Sequence, residues 1–180
     1  MPFAVEATLL WILGGVLFPL WLAAGVADYF CHRASHIETT SGLPEAVAHL
    51  ALASLMGLGV FVLLFLEINA FALALVVTLF AAHEVVTYLD LAWAAPRREI
   101  LPIEQVVHAF LECVPFAVVV AVALVVFGTE KTAFVLELKR APIEPSRVAG
   151  ILIAMTTFGA IPYWEEAWRC WRRYRFVGLA

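Results

Sequence analysis

Five long apolar runs, separated by short polar breaks, dominate the chain. They cover about residues 4–30, 45–66, 70–95, 103–127 and 148–168. The breaks are the polar stretch Cys31–Pro44, the short turn Glu67-Ile68-Asn69, the Pro96–Pro102 segment and a mixed, charged stretch from Gly128 to Arg147. A bilayer hydrocarbon core about 30 Å thick is crossed by about 20 residues at about 1.5 Å each, so every run is long enough to span. Lipid offers no hydrogen bonds to the backbone, and runs of this length therefore predict helices. The expected fold is all-α: one integral membrane domain over residues 1–180 with about five spans, ending in an amphipathic basic tail over residues 164–180. The opening Met-Pro-Phe-Ala-Val-Glu carries no positive charge, and the apolar run behind it is longer than a signal h-region. The first run is therefore expected to be a retained span.

Composition agrees. Apolar residues make up 64% and charged residues only 14%, against roughly 45–50% and about 25% in soluble domains. This excludes a disordered chain, a collagen, a coiled coil and a disulfide scaffold. The net charge of −4 argues against nucleic acid as a partner. Cys31, Cys113 and Cys170 are scattered and form neither a disulfide framework nor a zinc-finger spacing. Arg33, Arg97, Arg98, Arg169, Arg172, Arg173 and Arg175 fall on the side reached at the end of the first run, here called side B. Lys131, Lys139, Arg140 and Arg147 fall on the other. This bias predicts a cytoplasmic side B and an outside N-terminus. Trp164, Trp168 and Trp171 share one helical face and read as an interfacial aromatic belt, with Glu165 and Arg169 an i,i+4 pair.

The ionisable residues within the runs are the informative ones, because burying them in lipid is expensive. Asp28, His32 and His36 close the first run; Glu45 and His49 open the second. His83, Glu84 and Asp90 lie in the last third of the third run, and Glu104, His108 and Glu112 open the fourth. All belong to side B. Residues four apart share a helix face, so Asp28-x-x-x-His32-x-x-x-His36, Glu45-x-x-x-His49 and Glu104-x-x-x-His108 each align an acid with imidazole. His83 and Asp90, seven apart, do so across two turns. Imidazole with carboxylate is the ligand set of iron, zinc or manganese, and this set is large enough for two ions. The expected metal ligands are Asp28, His32, His36, Glu45, His49, His83, Asp90, Glu104 and His108, and the expected cofactor is two Fe, with Zn as the alternative. Spans one to four are expected to form the metal-binding bundle. Arg33, Arg97 and Arg98 read either as positive-inside bias or as neutralisers of the carboxylates.

This histidine–carboxylate cluster on the cytoplasmic face, with the box His32-x-x-x-His36, resembles the integral-membrane non-haem di-iron oxygenases of the desaturase and hydroxylase type. The chain has no H-x-x-H-H box and fewer histidines than that family uses. The segments around Cys31-His32-Arg33 and Arg98-Glu99-Ile100-Leu101-Pro102 are similar to small bacterial membrane proteins, and a bacterial inner membrane is the expected location. The resemblance implies O₂ chemistry on a lipid-soluble substrate (an acyl chain, isoprenoid or quinone) reached from the surrounding membrane lipids. No flavin, nicotinamide or iron–sulfur motif is present, so an external electron donor is implied. Three other readings stay open. A zinc-dependent membrane hydrolase, loosely like the alkaline ceramidases, needs fewer ligands. A haem-binding or accessory subunit of a membrane complex needs histidines but not the acids. A metal transporter needs polar residues across the whole membrane.

Overall fold

The computed structural model describes residues 2–177, with side chains over residues 7–176. Five helices are long and apolar enough to cross a membrane: Ala7–Ala34, Leu43–Phe65, Ala70–Ala94, Pro102–Gly128 and Pro145–Phe176, here spans one to five. Among the described residues there is no strand, only an isolated antiparallel bridge between Leu66 and Leu138. Side chains such as Phe30, Phe61, Tyr88, Phe116 and Phe127 point outward, as expected of helices that face lipid on one side.

The helix ends follow the local sequence. Pro sits in the first turn of spans two, four and five, where its missing N–H costs nothing. Asn69 caps span three: its Oδ1 accepts from the N–H groups of Phe71 (3.0 Å) and Ala72 (3.1 Å), and its Nδ2 donates to the Val135 carbonyl at 2.9 Å. That last bond ties the segment after span four to the turn between spans two and three. Glu67 N–H on the Glu137 carbonyl and Lys139 N–H on the Phe65 carbonyl reinforce the strap. Span one ends at Ala34, and its last turn leads to His36 in the left-handed region at φ 51°. Gly42 at φ 71° closes the same loop, a conformation that costs glycine nothing.

Spans one and five each contain one π-helical turn, Leu13–Leu17 and Thr156–Ala160. Neighbouring spans follow the order one, four, three, two, five and back to one. The expectation of a bundle built from spans one to four is therefore corrected. Span five packs against both span one and span two and closes the ring. Its buried stripe of Tyr163, Glu166, Ala167 and Cys170 has the i, i+3, i+4, i+7 spacing of an inward helix face. Below it, the loop after span one folds back under the bundle. Ile37 is wholly buried against Ala46, Ala167 and Cys170, and Glu38 pairs with Arg169.

Replacing Asn69 with Ala removes a cap and a loop tether at once. An N-cap alone is worth about 1 kcal/mol, so N69A should lower the thermal midpoint in detergent by several degrees. An unchanged midpoint would show that the strap stands without it.

Candidate metal centre

Equal depth brings the polar residues together. Asp28, His49 and His108 each lie six residues from the side-B end of their own helix, about 9 Å along the axis. Asp90 lies four residues from the end of span three and His83 eleven, so His83 lies roughly 16 Å in from that helix end.

At the centre, the His32 and His49 rings stack face to face, with centroids 4.3 Å apart and planes 4° from parallel. One carboxylate holds both. Glu166 of span five approaches His32 Nδ1 at 3.1 Å through Oε2 and His49 Nδ1 at 2.6 Å through Oε1. A carboxylate accepts, so both imidazoles donate from Nδ1, and in the neutral ring Nε2 becomes a lone pair. This is the arrangement by which an outer carboxylate orients and enriches a metal-binding imidazole.

The Nε2 atoms face the remaining acids. His32 Nε2 lies 3.4 Å from Asp28 Oδ1 and 3.4 Å from Glu104 Oε1. His108 Nε2 lies 3.0 Å from that Asp28 oxygen and 3.9 Å from Glu104 Oε1. Two nitrogens and two oxygens thus converge from spans one and four. Ligands about 2.1 Å from one ion stand about 3.0–3.4 Å apart in octahedral or tetrahedral geometry, close to the spacings here. His49 Nε2 faces Asp90 Oδ2 at 3.3 Å. Two groupings have ligand atoms mutually within 4.8 Å: Asp28, His32 and His108, and His32, Glu45 and His49. Several buried atoms have no hydrogen-bond partner, among them His32 Nε2, Asp90 Oδ1 and Thr87 Oγ1.

Asp28, His49, His83, Asp90 and His108 line one cavity of about 70 Å³, together with Thr87, Glu112 and Tyr163. That is room for a few ion- or water-sized species. Tyr163 reaches it because Gly25 of span one has no side chain: a Cβ there would stand 3.2 Å from the tyrosine oxygen.

Arg98 closes the cluster toward side B. Its Nε meets Glu45 Oε1 at 3.1 Å, its Nη2 meets the same oxygen at 2.5 Å, and its Nη1 meets Glu104 Oε2 at 2.9 Å. The fork therefore joins the first turns of spans two and four. Burial works against its charge, but Glu104 and Glu45 outweigh that and raise the guanidinium above its already high ordinary pKa. The other two arginines do different work. Arg97 lies over the Trp93 ring, 3.4 Å from its centroid, and Arg33 pairs with Glu165 at 3.0 Å.

Eight of the nine residues singled out in the sequence converge here. His36 does not: the helix ends before it, and among the described residues its exposed ring pairs with Glu38, at 3.5 Å. Glu84 turns back to His83 Nδ1 at 3.2 Å rather than to an arginine. The sequence reading missed Glu166, which sits among the interfacial tryptophans, and it left Arg98 as only one of three candidate neutralisers. Comparison with protein-family models, with curated proteins and with solved structures finds no match for this chain.

Removing Arg98 leaves two buried carboxylates facing each other without a counter-charge, a loss of about 3–5 kcal/mol. R98A should accordingly unfold far below the parent in a detergent melt, and R98K, which keeps charge but not the fork, should fall between them. Equal melting of R98A and parent would show that the fork is not structural.

Proposed function

We propose that this chain is a membrane-embedded di-metal oxidase of the hydroxylase or desaturase type, acting with O₂ on a lipid-soluble substrate. The observation that carries this reading is charge. Among the described residues, five carboxylates are buried in one cluster: Asp28, Glu45, Asp90, Glu104 and Glu166. The Arg98 guanidinium balances one of them, which leaves four negative charges in a low-dielectric region where unpaired charge is prohibitive. Two divalent cations would supply the missing four.

Protonating His32, His49, His83 and His108 would also balance the charge. It would, however, put two imidazolium rings in parallel contact at 4.3 Å, a repulsion of about 4 kcal/mol at an effective dielectric of about 20. Neutral rings with Nε2 lone pairs avoid that repulsion and fit a metal instead. In this reading His32, His108, Asp28 and Glu104 hold one ion. His49, Asp90 and His83 face the second from the shared cavity, with Glu45 beside them, and Glu166 and Arg98 hold the ligands in place. A pair of iron ions supplies O₂ activation when bound. Hydroxylation then takes one O₂, two protons and two electrons from an outside donor, and returns an alcohol and water. The ring of five spans keeps bulk water out, and Ile37 seals side B. Side B faces the cytoplasm of a bacterial cell in this reading, where a soluble electron donor can reach it.

Metal content of protein purified without added metal or nickel affinity is the test. About two irons per chain are expected. H32A and H108A should lose metal with the spans still inserted, E166Q should weaken loading about 10- to 100-fold, and H36A should load fully. About one zinc per chain would replace this reading with a zinc hydrolase, and metal-free protein would leave a protonated histidine network and no enzyme. Orientation has its own check. In a cysteine-free background, T39C should react with an impermeant thiol reagent only from the cytoplasm and E130C only from outside. The reverse pattern would invert the topology.

A further inference from the structure

We propose that the side-B end of span five is a docking surface for anionic phospholipids of the side-B leaflet, gripped by Arg172, Arg173 and Arg175. Cys170 is 1% exposed and packs against Ile37. Beyond it, every described side chain from Trp171 to Phe176 is exposed, although the helix runs on to Val177. Glu166 meets His49 six residues from the end of span two, yet eleven residues remain before the helix of span five ends. Span five therefore overhangs span two by about five residues, roughly 7.5 Å. An overhang at the end of a span stands in the headgroup layer, where phosphate lies.

Two features make this overhang a lipid surface rather than a helix end in water. The first is uncompensated charge. Arg33, Arg98 and Arg169 each pair with a carboxylate. Among the described residues, no carboxylate stands within ion-pair reach of Arg172, Arg173 or Arg175, and the sequence holds no acid from Ala167 to Ala180. A basic cluster next to a span is drawn to anionic headgroups. The second feature is the aromatic face beside the charge. Trp164, Trp168, Trp171 and Arg175 follow one another at helical spacing of three and four, so they share one side. The Trp168 and Trp171 rings are 4.9 Å apart, and the Arg175 guanidinium lies 5.1 Å from the centre of the Trp171 ring. Indole at headgroup level, with arginine reaching past it to phosphate, is the make-up of an interfacial helix. This face continues the exposed tryptophan stripe of the span itself, so the surface runs unbroken into the bilayer and fits a lipid better than a soluble acidic protein. The same helix carries Glu166 between His32 and His49. Headgroups that hold its end thus also hold Glu166 at the depth of the two rings, whatever the cluster binds.

The experiment is quenching of the tryptophan fluorescence of the full-length protein by brominated lipids. The vesicles are phosphatidylcholine mixed with either brominated phosphatidylglycerol or brominated phosphatidylcholine. Phosphatidylglycerol should quench as if enriched about fivefold at the protein surface, the worth of one arginine beside an anionic headgroup. Salt at about 0.5 M should remove most of that preference. R172Q/R173Q/R175Q keeps every tryptophan and should lose the preference. R140Q/R147Q, on the opposite side and paired with acids in the parent, should keep it. The parent should also melt higher in phosphatidylglycerol nanodiscs than in phosphatidylcholine ones, and the triple variant should not. Equal quenching of the parent by the two lipids would overturn the proposal and turn the overhang toward a soluble acidic partner. A preference retained in full by the triple variant would overturn it by placing the lipid elsewhere. Identical melting of the parent in both lipids would overturn the link to Glu166.

Discussion

Everything at the side-B end of this protein answers to one constraint: five carboxylates have been taken out of water and need positive charge. A buried acid whose partner is missing is among the most costly features a fold can carry. The structure meets the need in layers. Arg98 sits across Glu45 and Glu104. Glu166 sits across two imidazoles. Asp28 and Asp90 each face an imidazole Nε2. Fixed cations cover one charge, and orientable imidazoles face the rest. In the di-metal reading proposed above, two divalent cations would supply the charge that Arg98 leaves uncovered.

The architecture keeps that cluster in register. Four of the acids lie within six residues of a helix end, so their positions depend on how the spans are offset. The offsets are set at both ends. On side B, the Arg98 fork ties spans two and four, and the Glu38–Arg169 pair ties the first loop to span five. On the opposite side, Asn69 and the bridge at Leu66–Leu138 fix the segment after span four to the turn after span two. Span five matters twice, because it closes the ring and brings Glu166 between the two stacked histidines. The nearest hydrophobic cluster, Ile37 with Ala46, Ala167 and Cys170, covers this arrangement from the side-B aqueous phase.

Most of this was legible in the sequence, for physical reasons. Run length against bilayer thickness yields five helices, and i,i+4 spacing with equal depth yields a shared site for Asp28, Glu45, His49, Glu104 and His108. His36 failed because spacing carries information only while the helix lasts, and the chain turns left-handed two residues after Ala34. Glu166 was overlooked because the three tryptophans made span five look like a surface element. The same tryptophans held the signal. Trp164, Trp168 and Trp171 define the lipid face, and Glu166, with Tyr163 and Cys170 on its own stripe, lies on the opposite one. Arg98 was harder, since Arg97 and Arg98 differ by one residue and only the fold decides which faces inward.

The distribution of buried polar groups also bears on what kind of protein this is. A transporter for ions needs polar side chains along the path they travel. Here, among the described residues, the buried ionisable side chains all belong to the one cluster. The buried polar residue at the opposite end is Asn69, which is committed to capping a helix. Between the two ends lies an apolar chamber whose charged lining groups are cations at its roof. Trp21 and Met56 border both that chamber and the polar cavity of His49, His83 and Asp90. In the proposed reading, this is how an apolar molecule would come up to a polar centre.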